Sequence, residues 1–465
     1  MKRTKIVATI SDKRCDVDFL KSLYDAGMNV VRLNTAHQTF PDTLKVIANV
    51  RKVSENIALL IDTKGPEIRT TDIENPLEVK KGDIVFMTGS PKICGEKIIH
   101  VSYDEFVRDI PVGSRVLIDD GDIELIVMSK KDNLLELVAS NPGLIKNRKS
   151  INVPGVSIKL ASLSDKDRSF IEFAIENKLD FIAHSFVRNK KDVQEIKDIL
   201  KAHDSDIKII AKIENQEGVD NIDEILDNVY GIMVARGDLA IEIEAEKIPK
   251  IQRYIVNKCV ERKKPVIIAT QMLHTMIEHP RPTRAEVSDI ANAVFSGTDA
   301  IMLSGETAYG EYPLEAVQVM TKVAEANESV TPPDYNRNLV KIENENTAAI
   351  ARAAVKITNQ LPIKAIVMDT WSGRTARYIA AFRAWLPVYA VCYKKNVMRE
   401  LALSYGIIPK YSTLPDSHDE FMKSLPDMLL NAGFSSDDQI LIIGGSFGHL
   451  RGASFIKICK ISDIK

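Results

Sequence analysis

Long apolar runs are missing from this 465-residue sequence. No stretch approaches the ~20 residues needed to cross a bilayer. The basic start, MKRTKIVATI, carries too short an apolar run for a secretory leader and no small-residue cleavage site. Cysteine is sparse: five residues (Cys15, Cys94, Cys259, Cys392 and Cys459), with no CxxC pair. That excludes a disulfide framework and leaves reduced thiols in a soluble, cytoplasmic protein as the expectation. An excess of one charge is missing too, since 62 Lys and Arg stand against 64 Asp and Glu for a net −2. Nothing in that balance argues for nucleic acid or an anionic membrane, so any anion binding has to be local. Neither GxGxxG nor GxxxxGK[ST] follows a strand, which rules out the Rossmann and P-loop ways of holding a nucleotide. A GxSxG elbow is also absent, which disfavours acyl transfer.

What is present is a rhythm of short apolar strands and amphipathic helices. Lys5–Ile10, Asn29–Asn34 and Ile57–Asp62 read as strands, with helices over Phe19–Ala26 and Pro41–Val53 between them. Near-continuous apolar strands of this kind belong to a parallel sheet covered on its outer face. From about Ile68 to Val153 the pattern changes to alternating strands with polar turns and no long helix, which predicts an inserted antiparallel β lid. The α/β rhythm returns at Pro154, where Ser164 is a helix N-cap with Asp167 in the first turn. Strands follow at Phe181–Phe186, Lys208–Glu214, Gly231–Ala235, Pro265–Thr270 and Ala300–Ser304, making eight with the first three. One helix carrying Val219, Ile222, Ile225, Leu226 and Val229 is expected between the fifth and sixth. Eight βα units predict a closed TIM-type barrel: residues 1–67 and 154–330, with the lid at 68–153. A break near Thr331–Tyr335 then opens a C-terminal α/β domain, 331–465, with strands at Ala365–Asp369, Val388–Cys392 and Ile440–Ile443.

Polar groups recur where the barrel strands end: Arg32 and Asn34, Asp62 and Lys64, Ser185 and Arg188, Lys212 and Glu214, Arg236 and Asp238, Thr270 and Gln271, Ser304 and Glu306. One such residue alone is usually solvated loop; seven of eight strand ends converge on the catalytic mouth of a barrel. The organising stretch is Lys208–Leu239, in which two apolar runs each lead to an acid, Glu214 and Asp238. Buried charges of mixed sign need one another, a metal or a ligand. All-oxygen acidic donors favour Mg2+ or Mn2+, and no His/Cys cluster suggests zinc. Among the histidines near the mouth, His37, His184 and His274, His184 reads as a packing residue inside FIAHSF.

Six blocks together resemble the pyruvate kinase family: DTKGPEIR (Asp62–Arg69), KIENQEGV (Lys212–Val219), MVARGDLA (Met233–Ala240), ATQML (Ala269–Leu273), PRPTRAE (Pro280–Glu286) and MLSGETA (Met302–Ala308). The resemblance implies phosphoryl transfer from phosphoenolpyruvate to ADP, giving pyruvate and ATP, in a homotetramer. It assigns the divalent metal to Glu214 and Asp238, charge neutralisation to Lys212, a phosphate clamp to Arg32, and substrate anchoring and enolate protonation to Thr270. The backbone at Ala235, Arg236 and Gly237 would hold the substrate carboxylate. Arg69, His37 and Lys149 would meet the nucleotide, and Asn34, Asp62 and Thr63 would bind K+. Glu67 is the residue type that accompanies K+ dependence in the family. Thr370, Ser372, Gly373, Arg374 and Thr375 resemble an effector loop for a sugar phosphate or AMP, consistent with the anion-binding chemistry of a strand-to-helix turn.

Several positions depart from the family pattern. Ala36 stands where a serine hydroxyl completes the K+ site, so weakened K+ affinity is expected, with water or Thr35 as a substitute. Ser11–Arg14 reads SDKR in place of GPAS, which loosens the expected base preference, and Ala240 replaces a glycine. The family's late Thr/Asn effector segment is not evident near Gly444–Ser454. Two other readings share parts of this pattern. A barrel lyase would use the same metal acids without a lid or nucleotide, and a degenerate sensor would keep only the loop.

Overall fold

The computed structural model describes residues 2–36, 38–91, 93, 95–328, 340–445 and 452–464. The eight apolar stretches become eight parallel strands: Lys5–Thr9, Val30–Asn34, Ala58–Asp62, Phe181–His184, Lys208–Ile213, Gly231–Ala235, Val266–Ala269 and Ala300–Leu303. Each pairs with its sequence neighbours, and the eighth pairs with the first, closing the barrel. Most of these residues are buried on both faces, which is why the strands read as unbroken apolar runs. Helices pack outside them in an aliphatic layer that includes Leu20, Val46, Ile196, Ile225 and Val256. Ser164 is the anticipated N-cap, and with Asp167 it forms a reciprocal capping box; Asp167 also accepts the Lys64 N–H at 2.8 Å, fastening the loop after the third strand.

Three local details refine the sequence reading. The sixth strand stops at Ala235 as read, but Arg236, Gly237 and Asp238 then form the first turn of a short helix, Arg236–Glu242. Likewise the eighth strand ends at Leu303, and Glu306 sits in the helix Gly305–Ala308. The expected helix between the fifth and sixth strands is two, Gln216–Asp220 and Ile222–Asn228, meeting at Asn221. Asn221 spends its side-chain amide on the Arg188 carbonyl at 3.0 Å, a local polar bond that competes with helix continuation.

Between the third strand and the helix Asp165–Glu176, seven strands from Ile68–Thr71 to Ser150–Asn152 close a separate small barrel. A two-stranded ribbon, Leu77–Val79 with Gly143–Ile145, lies beside it. This unit has its own apolar core, built on Val85, Met87, Phe106, Ile118, Leu125 and Leu137.

The C-terminal domain is a five-stranded sheet in the order Ile407–Tyr411, Val388–Cys392, Ile363–Thr370, Gln439–Gly445, Ala453–Lys460. The last strand is antiparallel to its neighbour. The first and last of these escaped the sequence reading. IIPKY contains Pro409, tolerable only because that strand is an edge, and ASFIKICK has a largely solvated face. The break expected at Thr331–Tyr335 lies outside the described residues.

The C-terminal domain also supplies the barrel floor. Ala402 and Leu403, in a short 3-10 turn, belong to the same apolar cluster as Val7, Leu60, Ile210, Met233 and Met302 from the barrel interior. Around this stopper, Arg383 pairs with Asp299 at 2.8 Å, Arg399 with Asp180 at 2.6 Å, and Lys5 donates to the Ile407 carbonyl.

Candidate active site

At the opposite, C-terminal end of the barrel, charges from the second, third and fifth strands meet. Lys212, one residue before the fifth strand ends, holds its Nζ 2.9 Å from Glu214 Oε1 and 3.3 Å from Asp62 Oδ1. The same ammonium donates to Ser185 Oγ at 2.8 Å. Arg32 approaches Asp62 from the other side, with Nε 2.6 Å from Oδ2, and donates from Nη1 to Thr9 Oγ1 at 3.0 Å. Lys212, Asp62 and Glu214 are all buried.

The charges hold one another ionised unevenly. Burial alone would lower Lys212, but Asp62 and Glu214 outweigh it and hold the ammonium well above its usual range. Burial would raise Asp62, but Lys212 and Arg32 reverse that and keep it ionised. Glu214 is the exception. Burial lifts it to about 7; Lys212 pulls it down, and the neighbouring negative charge of Asp238 pushes it up again. Its Oε2 accepts the Phe186 N–H at 2.6 Å, while Oε1 meets Lys212 without an aligned hydrogen bond.

That imbalance is what a divalent cation corrects. Two acids, one of them buried and short of partners, fit a hard metal whose remaining positions are filled by substrate oxygens or water. Among the described residues no group of three His, Cys, Asp or Glu forms a complete cage, so Glu214 and Asp238 would share the ion with its ligand.

Thr270 and Gln271 leave the seventh strand with φ of 68° and 54°. Positive φ is costly for a β-branched residue, so the turn has to be held from outside. Arg236 does this, donating to the Thr270 carbonyl at 2.7 Å and to the Ala269 carbonyl at 3.4 Å, with Asp289 2.7 Å from its Nη1. The Arg236 side chain is therefore a brace, not one of the free charges of the mouth. Thr270 Oγ1 accepts the Gly237 N–H at 2.8 Å, joining the seventh strand end to the sixth. Glu306 also leaves the charge set: it is buried and accepts backbone N–H groups of Leu273 and Ser304 at 3.1 and 2.7 Å.

The expected K+ ligands adjoin one another. Asn34 and Asp62 are direct partners across the second and third strands, and Thr63 follows. Asn34 Oδ1 accepts the Ala36 N–H at 3.1 Å, and the Thr63 carbonyl accepts Ser185 Oγ at 2.6 Å. Thr35 donates its hydroxyl to the Asp62 carbonyl at 2.8 Å and is buried, so it is committed elsewhere.

Towards the lid, Glu67 Oε2 takes both Nε and Nη2 of Arg69, at 2.9 and 2.7 Å, and so aims that guanidinium. Lys149 is held inside the lid, 2.7 Å from Asp119. His37 lies outside the described residues. His184 is buried, as a packing residue would be, and burial pushes it down to about 4, but neither ring nitrogen has a hydrogen-bond partner. His274 is exposed in a 3-10 turn and joins none of these contacts. A cleft of 460 Å3 runs along the junction of the small barrel with the large one, past Pro66, Asn152, Phe186 and Asn215.

In the C-terminal domain the loop after Ile363–Thr370 turns at Gly373, φ 73°, whose N–H donates to Thr370 Oγ1 at 2.9 Å. Ser372 stands at its exposed tip, and the helix Arg374–Ala381 starts there, with Arg374 exposed and Thr375 buried. Most of the late effector segment, residues 446–451, lies outside the described residues.

Three contributors went unread in the sequence. Thr9 and Asp289 lack any local motif, and the Phe186 N–H acts through backbone alone. Only the fold brings them to Arg32, Arg236 and Glu214.

The sequence matches the family model described as "Pyruvate kinase, barrel domain" over residues 1–317 and "Pyruvate kinase, alpha/beta domain" over residues 348–459. It is 51% identical to the pyruvate kinase of Borreliella burgdorferi, across 99% of this chain and 98% of that one. Identity to the pyruvate kinase of Geobacillus stearothermophilus is 42%, across 100% of this chain and 81% of that one. A crystal structure of a pyruvate kinase from Cryptosporidium parvum superposes with a TM-score of 0.92 at 36% identity, covering 99% and 96% of the two chains.

Proposed function

The chain belongs to the pyruvate kinase family and is a phosphotransferase; from that premise we propose how its own residues carry a phosphoryl group from phosphoenolpyruvate to ADP. Phosphoryl transfer asks the protein for position and charge more than for covalent chemistry. Arg32, aimed by Asp62 and Thr9, keeps N–H groups free to clamp the moving phosphate. Lys212, held charged between Asp62 and Glu214, neutralises its developing charge. The first turn at Ala235, Arg236 and Gly237 receives the substrate carboxylate, and Thr270, locked by the Arg236 brace, orients it and relays the proton that quenches the enolate. Glu214 and Asp238 would hold Mg2+ or Mn2+, which when bound supplies Lewis-acid stabilisation of the enol and phosphate oxygens. The close approach of Lys212 to Glu214 and Asp62 carries this reading.

Residues 68–153 act as the lid over the barrel of 1–67 and 154–330, with 331–465 as effector and assembly domain of a cytoplasmic homotetramer. Arg69, aimed by Glu67, meets the nucleotide phosphates with His37, and Lys149 exchanges Asp119 for them when the lid closes. Potassium binds at Asn34, Asp62 and Thr63 with one ligand fewer than the family pattern, because Ala36 has no hydroxyl and Thr35 is engaged. Thr370, Ser372, Gly373, Arg374 and Thr375 take a sugar phosphate or AMP, which activates.

A lactate-dehydrogenase-coupled assay with phosphoenolpyruvate, ADP, Mg2+ and K+ tests the reaction. Lys212→Met is expected to lower kcat by roughly 100- to 1000-fold, the usual loss of one transition-state charge partner. Raising KCl is expected to stimulate activity, and Glu67→Lys to abolish that stimulation; full activity without K+ would refute the K+ assignment. No response to fructose 1,6-bisphosphate, glucose 6-phosphate or AMP would remove the effector assignment.

A further inference from the structure

A cavity of 530 Å3 lies on the far side of the barrel from the catalytic mouth, where the barrel floor meets the C-terminal domain. Lys197, Lys201 and Lys208 line it from the barrel and Arg377 from the C-terminal domain, against one carboxylate, Glu400. Lys208 takes that acid, at 3.5 Å. Arg377 faces the same acid, whereas Lys197 and Lys201 pair with no carboxylate among the described residues. Lys197 donates to Asn228 Oδ1 at 2.7 Å, and Arg377 donates to the Ser372 carbonyl at 3.1 Å while lying 5.8 Å over the Tyr230 ring. Lys201 has no ion pair among the described residues and stands exposed at the rim.

Other cations along this boundary are matched. Arg3 has Glu328, Arg383 has Asp299, and Arg399 has both Asp180 and Glu55. Gathering four cations around one acid in a cavity is unfavourable unless an anion joins them, and its cost is relieved most by a compact dianion. The volume suits a small metabolite. Tyr230, beneath Arg377, and Ser372 line the cavity beside the basic rim.

We propose that this cavity binds the phosphate monoester of a small metabolite, its phosphate among Lys201, Lys208 and Arg377 and its polar body against Tyr230. Such a ligand bridges the two domains beside Glu400, which directly precedes the turn that plugs the barrel, and touches Lys208, the first residue of the strand that carries Lys212. The cavity meets the loop Thr370–Thr375 only at Ser372, so the proposal stands without the effector role given to that loop.

Calorimetric titration of the full chain with AMP, glucose 6-phosphate and inorganic phosphate tests it. At least one ester is expected to bind tenfold or more tighter than inorganic phosphate. Lys201→Glu, at an exposed and unpaired position, is expected to weaken that ester at least tenfold with an unchanged thermal midpoint, and Lys197→Gln to weaken it in the same direction. Arg374→Ala, on the loop, is expected to leave it within twofold. Unchanged affinity in Lys201→Glu overturns the proposal, and so does an ester that binds no tighter than inorganic phosphate. Absence of binding at millimolar concentration does the same, and weakening by Arg374→Ala alone moves the ligand to the loop.

Discussion

At Glu214, burial raises the carboxyl to about 7 while Lys212 and Asp238 act on it in opposite directions. Unfolded, the same group titrates near 4.5. Between those values the metal-free folded protein keeps a proton that the unfolded chain has released, so its stability falls as pH rises through that window. A cation at Glu214 and Asp238 needs the proton gone. Affinity for Mg2+ or Mn2+ should therefore climb as pH rises to about 7 and then level, roughly tenfold weaker at pH 6 than at pH 8. Calorimetric titration with Mn2+ at the two pH values checks this, and Glu214→Gln should abolish the slope. Much of this site was legible at single residues, because a charge closing an apolar run has few reasons to be there. Lys212, Glu214 and Asp62 do come together. What stayed illegible was which charges are free. Arg236 and Glu306 end apolar runs just as Lys212 and Glu214 do, yet their partners, Asp289 and the backbone of Leu273 and Ser304, lie far off in sequence or carry no side-chain signal.

The barrel strands were readable as elements because burial on both faces leaves an unbroken apolar run. Their ends were less so: the switch from strand to helix at Arg236 depends on a turn whose backbone geometry no residue type announces. One strand start is set by packing at atomic distance. A Cβ added to Gly231 would lie 2.5 Å from the Pro265 carbonyl oxygen, a backbone atom at the head of the next strand. Gly231→Ala must push those strands apart, and overpacking of this sort costs about 1–3 kcal/mol. Thermal unfolding of the variant is expected to start several degrees lower, with the effect on kcat small because the displaced end faces away from Lys212. Asn221 gives the complementary lesson, since a hydrophobic stripe that fits one helix can be folded as two when a polar side chain finds a nearer partner.

Over the whole molecule, the domains differ in how they are joined. The inserted unit is a closed barrel with its own core, entering and leaving the larger barrel through two short segments, so it presents no long free edge. The C-terminal domain is joined through buried charge and shared core. Arg383→Met would strip its guanidinium partner from Asp299, which is buried and also accepts the Val266 and Tyr405 N–H groups at 3.2 and 3.1 Å. Breaking a buried pair on one side costs about 3–5 kcal/mol. Denaturant titration should show that loss as a lower midpoint, and the barrel's own fluorescence and circular dichroism should change along with the C-terminal domain's. Ala402 and Leu403 carry a longer consequence. A stretch of one module finishes the lowest layer of the other's interior, so recombination that exchanged the C-terminal segment for a foreign one would leave the catalytic half with an unfilled base. The two halves are bound to a shared line of descent, each new C-terminal segment having to arrive with its own well-fitting cork.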